Sequence, residues 1–455
     1  MMSAISPSIR TRAAPCLLNY VTEIKVAINT VEASFERQYR RFWRWHFYAA
    51  FLVIPFVLWQ GTTGVIYLWH EQITDQLWPE LRFVTPGAAR ADLDAQWRAV
   101  APDGKEPKAI KLSADPQRSV QFVFDTENGL SSPRFSDPYS GQSLGSVPAS
   151  TWLPGLTRSL HGGWPLGKPG SWLLELGACW MMVMVLSGMY LWWPRGANGM
   201  AGVLYPRLRA GSRLMWRDLH SVIGMWSSVF LLLFLLTALP WTDAWGNYVL
   251  RPIQRALGQT APAALGFGHA AHTEHSAHAT ATPLAFQRAL DTARAEGFRG
   301  DIELRIGRNQ GPITVTEKTT GRSADERTLS LARDTGRVLG RVNWSDYPLL
   351  PKLIATGVDL HEGSFFGAAN RVFNTLVVAG LFWLVGTGLI GWYQRRPGQG
   401  LSPPAAMRGR WPRWLKLSAL SFCVVMPLFG LSVLTIWLTE HLFAPMRRQD
   451  MNPTT

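Results

Sequence analysis

The stretch LHGGWPLGKPGSWLLELGACWMMVMVLSGMYLWWPR at residues 160–195 returns without gaps as LHEGSFFGAANRVFNTLVVAGLFWLVGTGLIGWYQR at residues 360–395. Leu160, His161, Gly163, Gly167, Leu176, Gly188, Trp192 and Arg195 recur as Leu360, His361, Gly363, Gly367, Leu376, Gly388, Trp392 and Arg395, an offset of 200 residues throughout. In each copy one histidine precedes an apolar run of about 20 residues, the length that crosses a bilayer core. A histidine so placed is a candidate for holding a cofactor inside a membrane.

Working outward, hydropathy predicts five spans: Phe47–Trp69, Trp172–Trp193, Val222–Trp241, Val372–Tyr393 and Leu417–Leu438. Tryptophans gather at their ends, as at membrane interfaces. The net charge of +14 has a location: residues 1–46, 194–217 and 394–416 hold seven, five and six Lys or Arg, against only Glu23, Glu32 and Glu36. By the positive-inside rule these stretches are cytosolic and the long segments between spans are external. Arg447 and Arg448 argue mildly against the external C-terminus that follows. Because the charge borders apolar spans, it speaks for a lipid bilayer as partner and against nucleic acid.

The run after Arg40-Arg41-Phe42-Trp43-Arg44 is too long for a cleavable signal peptide and lacks a small-residue cleavage site, so it reads as a signal anchor. Cys16, Cys179 and Cys423 are scattered, with no Cys-x-x-Cys, which speaks against a disulfide scaffold and against covalently attached haem.

The expected order is an arm 1–46, a span 47–69, an external domain 70–160, a histidine segment with span 161–193, and a cytosolic loop 194–217. A span 218–241, a second external domain 242–360, a histidine segment with span 361–393, a cytosolic loop 394–416, a fifth span 417–438 and a tail 439–455 complete it. Span, external domain and returning span form a unit that occurs twice in the same orientation, a parallel duplication. Each external domain reads as a helix followed by strands: Leu93–Val100 then Val120–Phe124, and Phe286, Leu290 and Ala293 at helical spacing then Ile313–Thr316 and Thr328–Leu331. The turns at Asp137–Gly145 and Asp334–Gly340 share a Ser/Thr-Gly-x-x-Leu-Gly pattern that predicts a hairpin with glycine at positive φ. The fold class is thus a membrane all-α bundle of about five helices bearing two small α+β domains, neither with a nucleophile–base pair.

Arg44-Trp45-His46-Phe47-Tyr48, Gly188 to Arg195, Arg217-Asp218-Leu219-His220, Leu239-Pro240-Trp241 and Asp359-Leu360-His361-Glu362-Gly363, taken in order over about residues 40–440, resemble the PepSY-associated transmembrane family. The resemblance implies a bacterial inner-membrane protein with PepSY-like periplasmic domains. It also implies a link to iron uptake and, for some members, ferric-siderophore reduction by b-type haem.

Topology sorts the ten histidines. His46 and His220 start the outward spans at the cytosolic side, and His161 and His361 precede the inward spans at the external side. Two facing pairs result, each able to ligate a haem iron on opposite faces and to leave no open position, which suits electron transfer. A boundary histidine also serves simply as an interfacial residue; four arranged two by two favour ligation. His70 and His441 read as interfacial. Arg44 and Arg217 are candidates for haem propionates, although positive-inside anchoring explains them equally well. Gly61, Gly64, Gly188, Gly386, Gly388 and Gly391 permit close approach of a macrocycle or of another helix. His269, His272, His275 and His278, with Glu274, form an Ala/Thr-rich cluster that reads as a weak metal site or a solvated linker.

The leading expectation is therefore an oxidoreductase with two b haems. It passes electrons from a quinol or a cytosolic reductase to a periplasmic ferric siderophore, a direction assisted by about 2.3 kcal/mol per charge per 100 mV of membrane potential. A PepSY-domain binding or regulatory protein and a metal permease are the rivals. Spans almost free of internal carboxylates argue against the permease. No glycine fingerprint for a nicotinamide or flavin follows a strand, so the electron donor is expected to be a separate molecule.

Overall fold

The structure, a computed structural model, describes residues 13–194, 199–262, 285–307, 311–333, 335–395 and 411–449. The helices that position the site are, in chain order, α1 (Ala13–Leu68), α2 (His70–Leu77), α3 (Leu93–Val100), α4 (Leu153–His161), α5 (Lys168–Trp192), α6 (Ser212–Ala238), α7 (Phe286–Ala295), α8 (Leu349–His361), α9 (Ala368–Arg395), α10 (Arg413–Val425) and α11 (Pro427–Gln449). Among the described residues four helices are long and apolar enough to cross a membrane: Phe35–Leu68 of α1, α5, α6 with its extension to Trp241, and α9. Helix is the form such segments must take, because hydrocarbon offers no partner for backbone N–H and C=O groups.

The stretch 417–438, expected as one span, is instead two helices, α10 and α11, meeting at Met426 and Pro427. Proline has no N–H and disfavours the helical conformation in the residue before it, so one helix stops and another begins. Pro55, by contrast, lies inside α1. After α6, Pro240 falls in a short 3-10 turn, Leu239–Trp241, that ends the helix.

The two expected α+β domains are one sheet. Strands β1 (Ala109–Leu112), β2 (Val120–Asp125), β3 (Ser131–Ser136), β4 (Ser143–Ser146), β5 (Asp301–Ile306), β6 (Ile313–Lys318), β7 (Arg327–Leu331) and β8 (Val338–Val342) are ordered β4-β3-β2-β1-β5-β6-β7-β8. Each half is an antiparallel meander whose first strand would be an exposed edge if the half stood alone. β1 and β5 remove both edges by pairing with each other, Ile110 opposite Leu304 and Leu112 opposite Ile302. Those four side chains are buried with Phe122, Phe124, Ile313, Val315, Leu329 and Leu331 in a core that α3 and α7 cover with Leu93, Phe286 and Ala289. In the hairpin turns Gly141 has φ 73° and Gly336 has φ 69°, the left-handed conformation that the turn pattern calls for.

The covering helices cap one another. The Asp94 carboxylate accepts from the backbone N–H groups of Phe286 at 2.8 Å and Gln287 at 3.1 Å, and the Gln287 side-chain oxygen accepts from Leu93 N–H at 2.8 Å. Both helix N-termini thereby find acceptors for otherwise orphaned donors.

The chain divides into two compact units. One contains Met1–Val53, Trp180–Ser228 and Leu384–Leu417; the other contains Ile54–Cys179, Val229–Trp383, with the whole sheet, and Ser418–Thr455. Asp94→Ala strands the buried Phe286 donor and the half-buried Gln287 donor in the second unit. It is expected to lower stability by about 1–3 kcal/mol and to accelerate amide hydrogen exchange at Phe286 and Gln287, measured by mass spectrometry on the detergent-solubilised chain.

Candidate functional site: four anchored histidines

In the first unit, His46 on α1 and His220 on α6 face each other with ring centroids 6.2 Å apart and planes inclined at 81°. His46 Nδ1 lies 3.0 Å from the Met184 carbonyl and 3.1 Å from Ser187 Oγ on α5. His220 Nδ1 lies 3.1 Å from both the Leu384 carbonyl and Thr387 Oγ1 on α9. Ser187 donates to the Met184 carbonyl at 2.9 Å and Thr387 to the Leu384 carbonyl at 3.2 Å, so each hydroxyl is itself tied to the turn below it.

The second unit repeats the arrangement. His161, the last residue of α4, has Nδ1 3.0 Å from Thr63 Oγ1 on α1, with the Gln60 backbone as a second partner. His361, the last residue of α8, has Nδ1 3.1 Å from Thr237 Oγ1 on α6, with the Phe234 backbone as its second partner. The terminal carbonyls of these two short helices are also claimed. Trp59 donates to Leu160 at 3.0 Å and Gln60 to His161 at 3.2 Å; Asn374 donates to Leu360 at 2.9 Å and His361 at 3.0 Å.

All four histidines thus meet the same receptor on a neighbouring helix: a carbonyl, a hydroxyl three residues later, then a small residue. Ser187-Gly188, Thr387-Gly388, Thr63-Gly64 and Thr237-Ala238 supply the last two positions. The glycines make room for the ring. A Cβ on Gly188, Gly388 or Gly64 would stand 3.1, 3.3 or 3.4 Å from Cε1 of the histidine that lies against it.

A carbonyl oxygen can only accept, so Nδ1 carries the proton and Nε2 keeps its lone pair. Outer-sphere bonds of this kind orient metal-binding imidazoles and fix their tautomer. Burial lowers the basicity of His161, and burial together with the nearby His161 pushes His361 down to about 4, so both are neutral near pH 7. Two imidazoles bound to one metal ion from opposite sides at roughly 2 Å each, the usual metal–imidazole length, bring their centroids about 6 Å apart. The His46–His220 spacing of 6.2 Å fits that requirement.

The other sequence candidates have different surroundings. Arg217 pairs at 2.9 Å with the fully buried Asp218, which also takes Arg207 at 2.7 Å, while the Arg44 guanidinium lies over the Tyr48 ring. Among the glycines, Gly61 serves helix packing, its Cα facing Phe382 and Val378 on α9, and Gly386 has no neighbour that a Cβ would meet. His70 stacks on Tyr67, and His441 is exposed with Nδ1 2.8 Å from the Trp437 carbonyl. His269, His272, His275 and His278 lie outside the described residues. Sequence reasoning missed Thr63, Ser187, Thr237 and Thr387, although a Ser/Thr followed by Gly or Ala in every long span was there to be noticed.

Apolar helices of spanning length that carry or contact four half-buried, tautomer-fixed histidines define a multi-pass membrane protein. Residues 43–395 match the family described as the PepSY-associated TM region, and the chain belongs to that family. No curated protein matches it.

Two substitutions on α9 separate the histidine receptor from general helix effects. Gly388→Val presses on the His220 ring and is expected to cost roughly 1–3 kcal/mol, whereas Gly386→Val meets open space and is expected to leave the melting temperature of the detergent-solubilised protein at or above that of the wild type.

Proposed function

We propose that this chain is a haem-carrying oxidoreductase of the bacterial inner membrane that delivers electrons to a periplasmic ferric siderophore, releasing iron as Fe(II). The observation that carries the reading is the fourfold receptor described above, which presents four imidazoles, each held at Nδ1, in two pairs. One pair has the centroid spacing that ligation from opposite faces requires. His46 and His220 would hold one b haem and His161 and His361 another. Bound in this way, haem supplies one-electron transfer with no open coordination position.

The chain's own residues do the positioning. Met184, Leu384, Gln60 and Phe234 hold the Nδ1 protons through their carbonyls, and Ser187, Thr387, Thr63 and Thr237 limit rotation of the rings. Ligands fixed in advance lose little freedom on binding, and rigid surroundings keep reorganisation small. Asp218, two residues from His220, draws Arg207 and Arg217 together beside the start of α6. The Arg-rich stretches 1–46, 194–217 and 394–416 support a cytosolic placement for that end, and the sheet is then periplasmic. The matched segments at 160–195 and 360–395 support a parallel duplication as the origin of the two pairs. The electron donor in this reading is a quinol or a cytosolic reductase.

The test is a reduced-minus-oxidised visible spectrum with pyridine haemochrome quantitation on protein purified after expression with ample haem. About two b-type haems per chain are expected. His161→Ala and His361→Ala should each remove one and leave the other. Protein without haem under those conditions would turn the reading to a PepSY binding or regulatory protein.

A further inference from the structure

A groove of about 350 Å³ in the second unit is lined by α6, α9 and the end of α8, His361 included. Its walls are the rings of Phe230, Phe234, Phe366 and Phe373, and Asn370 and His361 supply much of the polar lining. Asn370 is only 6% exposed, and its amide orientation is fixed: Nδ2 donates to the Leu360 carbonyl at 3.1 Å and to Asn374 Oδ1 at 3.0 Å. Its Oδ1 is buried and has no hydrogen-bond partner among the described residues. In an apolar setting an unmatched acceptor of this kind is costly, because it has lost its bond to water and gained none in return, and a molecule bringing a hydrogen-bond donor to the groove would recover that loss.

The rest of the lining narrows the chemistry of that molecule. Among the described residues no lysine or arginine lines the groove, so a lipid phosphate finds no charge partner in that lining. Haem carboxylates, ionised, offer acceptors and no donor. Val229, Leu236 and Leu376, beside the groove on α6 and α9, are exposed and apolar, so the approach is from the bilayer. A flat ring with a hydroxyl at its edge and a hydrocarbon tail meets all three conditions. We infer that the groove binds a lipid-soluble quinol, its ring among the four phenylalanines and one hydroxyl donating to Asn370 Oδ1. Asn370 Oδ1 is closed off from the groove in this structure, so the neighbouring side chains must move aside to admit the hydroxyl. Because the site offers an acceptor, it prefers the quinol to the quinone, whose ring oxygens cannot donate. The inference deepens the proposed function, resting on its quinol alternative for the electron donor, and concerns binding alone.

The experiment uses the full-length chain in phosphatidylcholine nanodiscs and a benzoquinol probe with a photoreactive diazirine in its tail. Labelled peptides are mapped by mass spectrometry, with and without excess decyl-ubiquinol, decyl-ubiquinone or phosphatidylglycerol as competitor. Labelling is expected on α6 and α9 around the groove, competed at least tenfold better by the quinol than by the quinone. Asn370→Leu should abolish that preference. Leu233→Trp, which fills the groove from α6 and leaves the Asn370 network intact, should abolish the labelling. Label spread evenly over the apolar surface, equal competition by quinone, or competition by phosphatidylglycerol would overturn the assignment. The readout does not depend on haem, so its failure would leave the histidine assignment standing.

Discussion

The bond from each histidine Nδ1 to a neighbouring helix is the constraint around which the membrane part of this protein is arranged. An imidazole on a single helix has free rotation about two side-chain bonds and two tautomers. A carbonyl and a hydroxyl three residues apart on the next helix remove both freedoms, because that spacing puts the two oxygens on one face, about one turn apart. The same contact requires the two helices to come close, which explains why the residue after the hydroxyl is glycine in three cases and alanine in the fourth. Histidine orientation and helix packing are therefore satisfied by the same few residues.

The sheet follows a related economy. A four-stranded meander with one covering helix has an open edge and helix-start donors that it does not satisfy alone, and each half of the sheet domain supplies what the other lacks. β1 and β5 close each other's edges, while Asp94 and Gln287 cap each other's helices. Joining the halves also pools their apolar faces into one core, which buries more surface per residue than two small domains could. The Asp359 carboxylate on α8 then accepts from the Ser323 backbone at 2.8 Å and hydroxyl at 2.7 Å, tying the turn that leads into β7 to the helix that ends in His361.

Much of this was legible in advance. Four spans announced themselves by apolar runs of bilayer length, and the helix and strand segments at 93–100, 120–124, 286–293, 313–316 and 328–331 were readable because their periodicity is a local property. His46, His161, His220 and His361 stood out by their place at span ends and by the repeat. The hydroxyl partners were not read, since serine and threonine are common in membrane helices and a single residue carries no sign of what lies across the interface. The break in the stretch 417–438 was not read because hydropathy sums over a window and is blind to the missing N–H of Pro427.

The sequence by itself determined which segments are helices of spanning length, where the histidines fall, and the family to which the chain belongs, because composition, period and motif order are properties of the chain alone. Only the tertiary structure decided that two meanders form one sheet, that Nδ1 of each histidine is engaged on another helix, and that Asn370 keeps an unmatched oxygen. Each of those depends on which groups meet across gaps of tens to hundreds of residues, and pairing at that range is settled by packing and hydrogen-bond satisfaction in three dimensions.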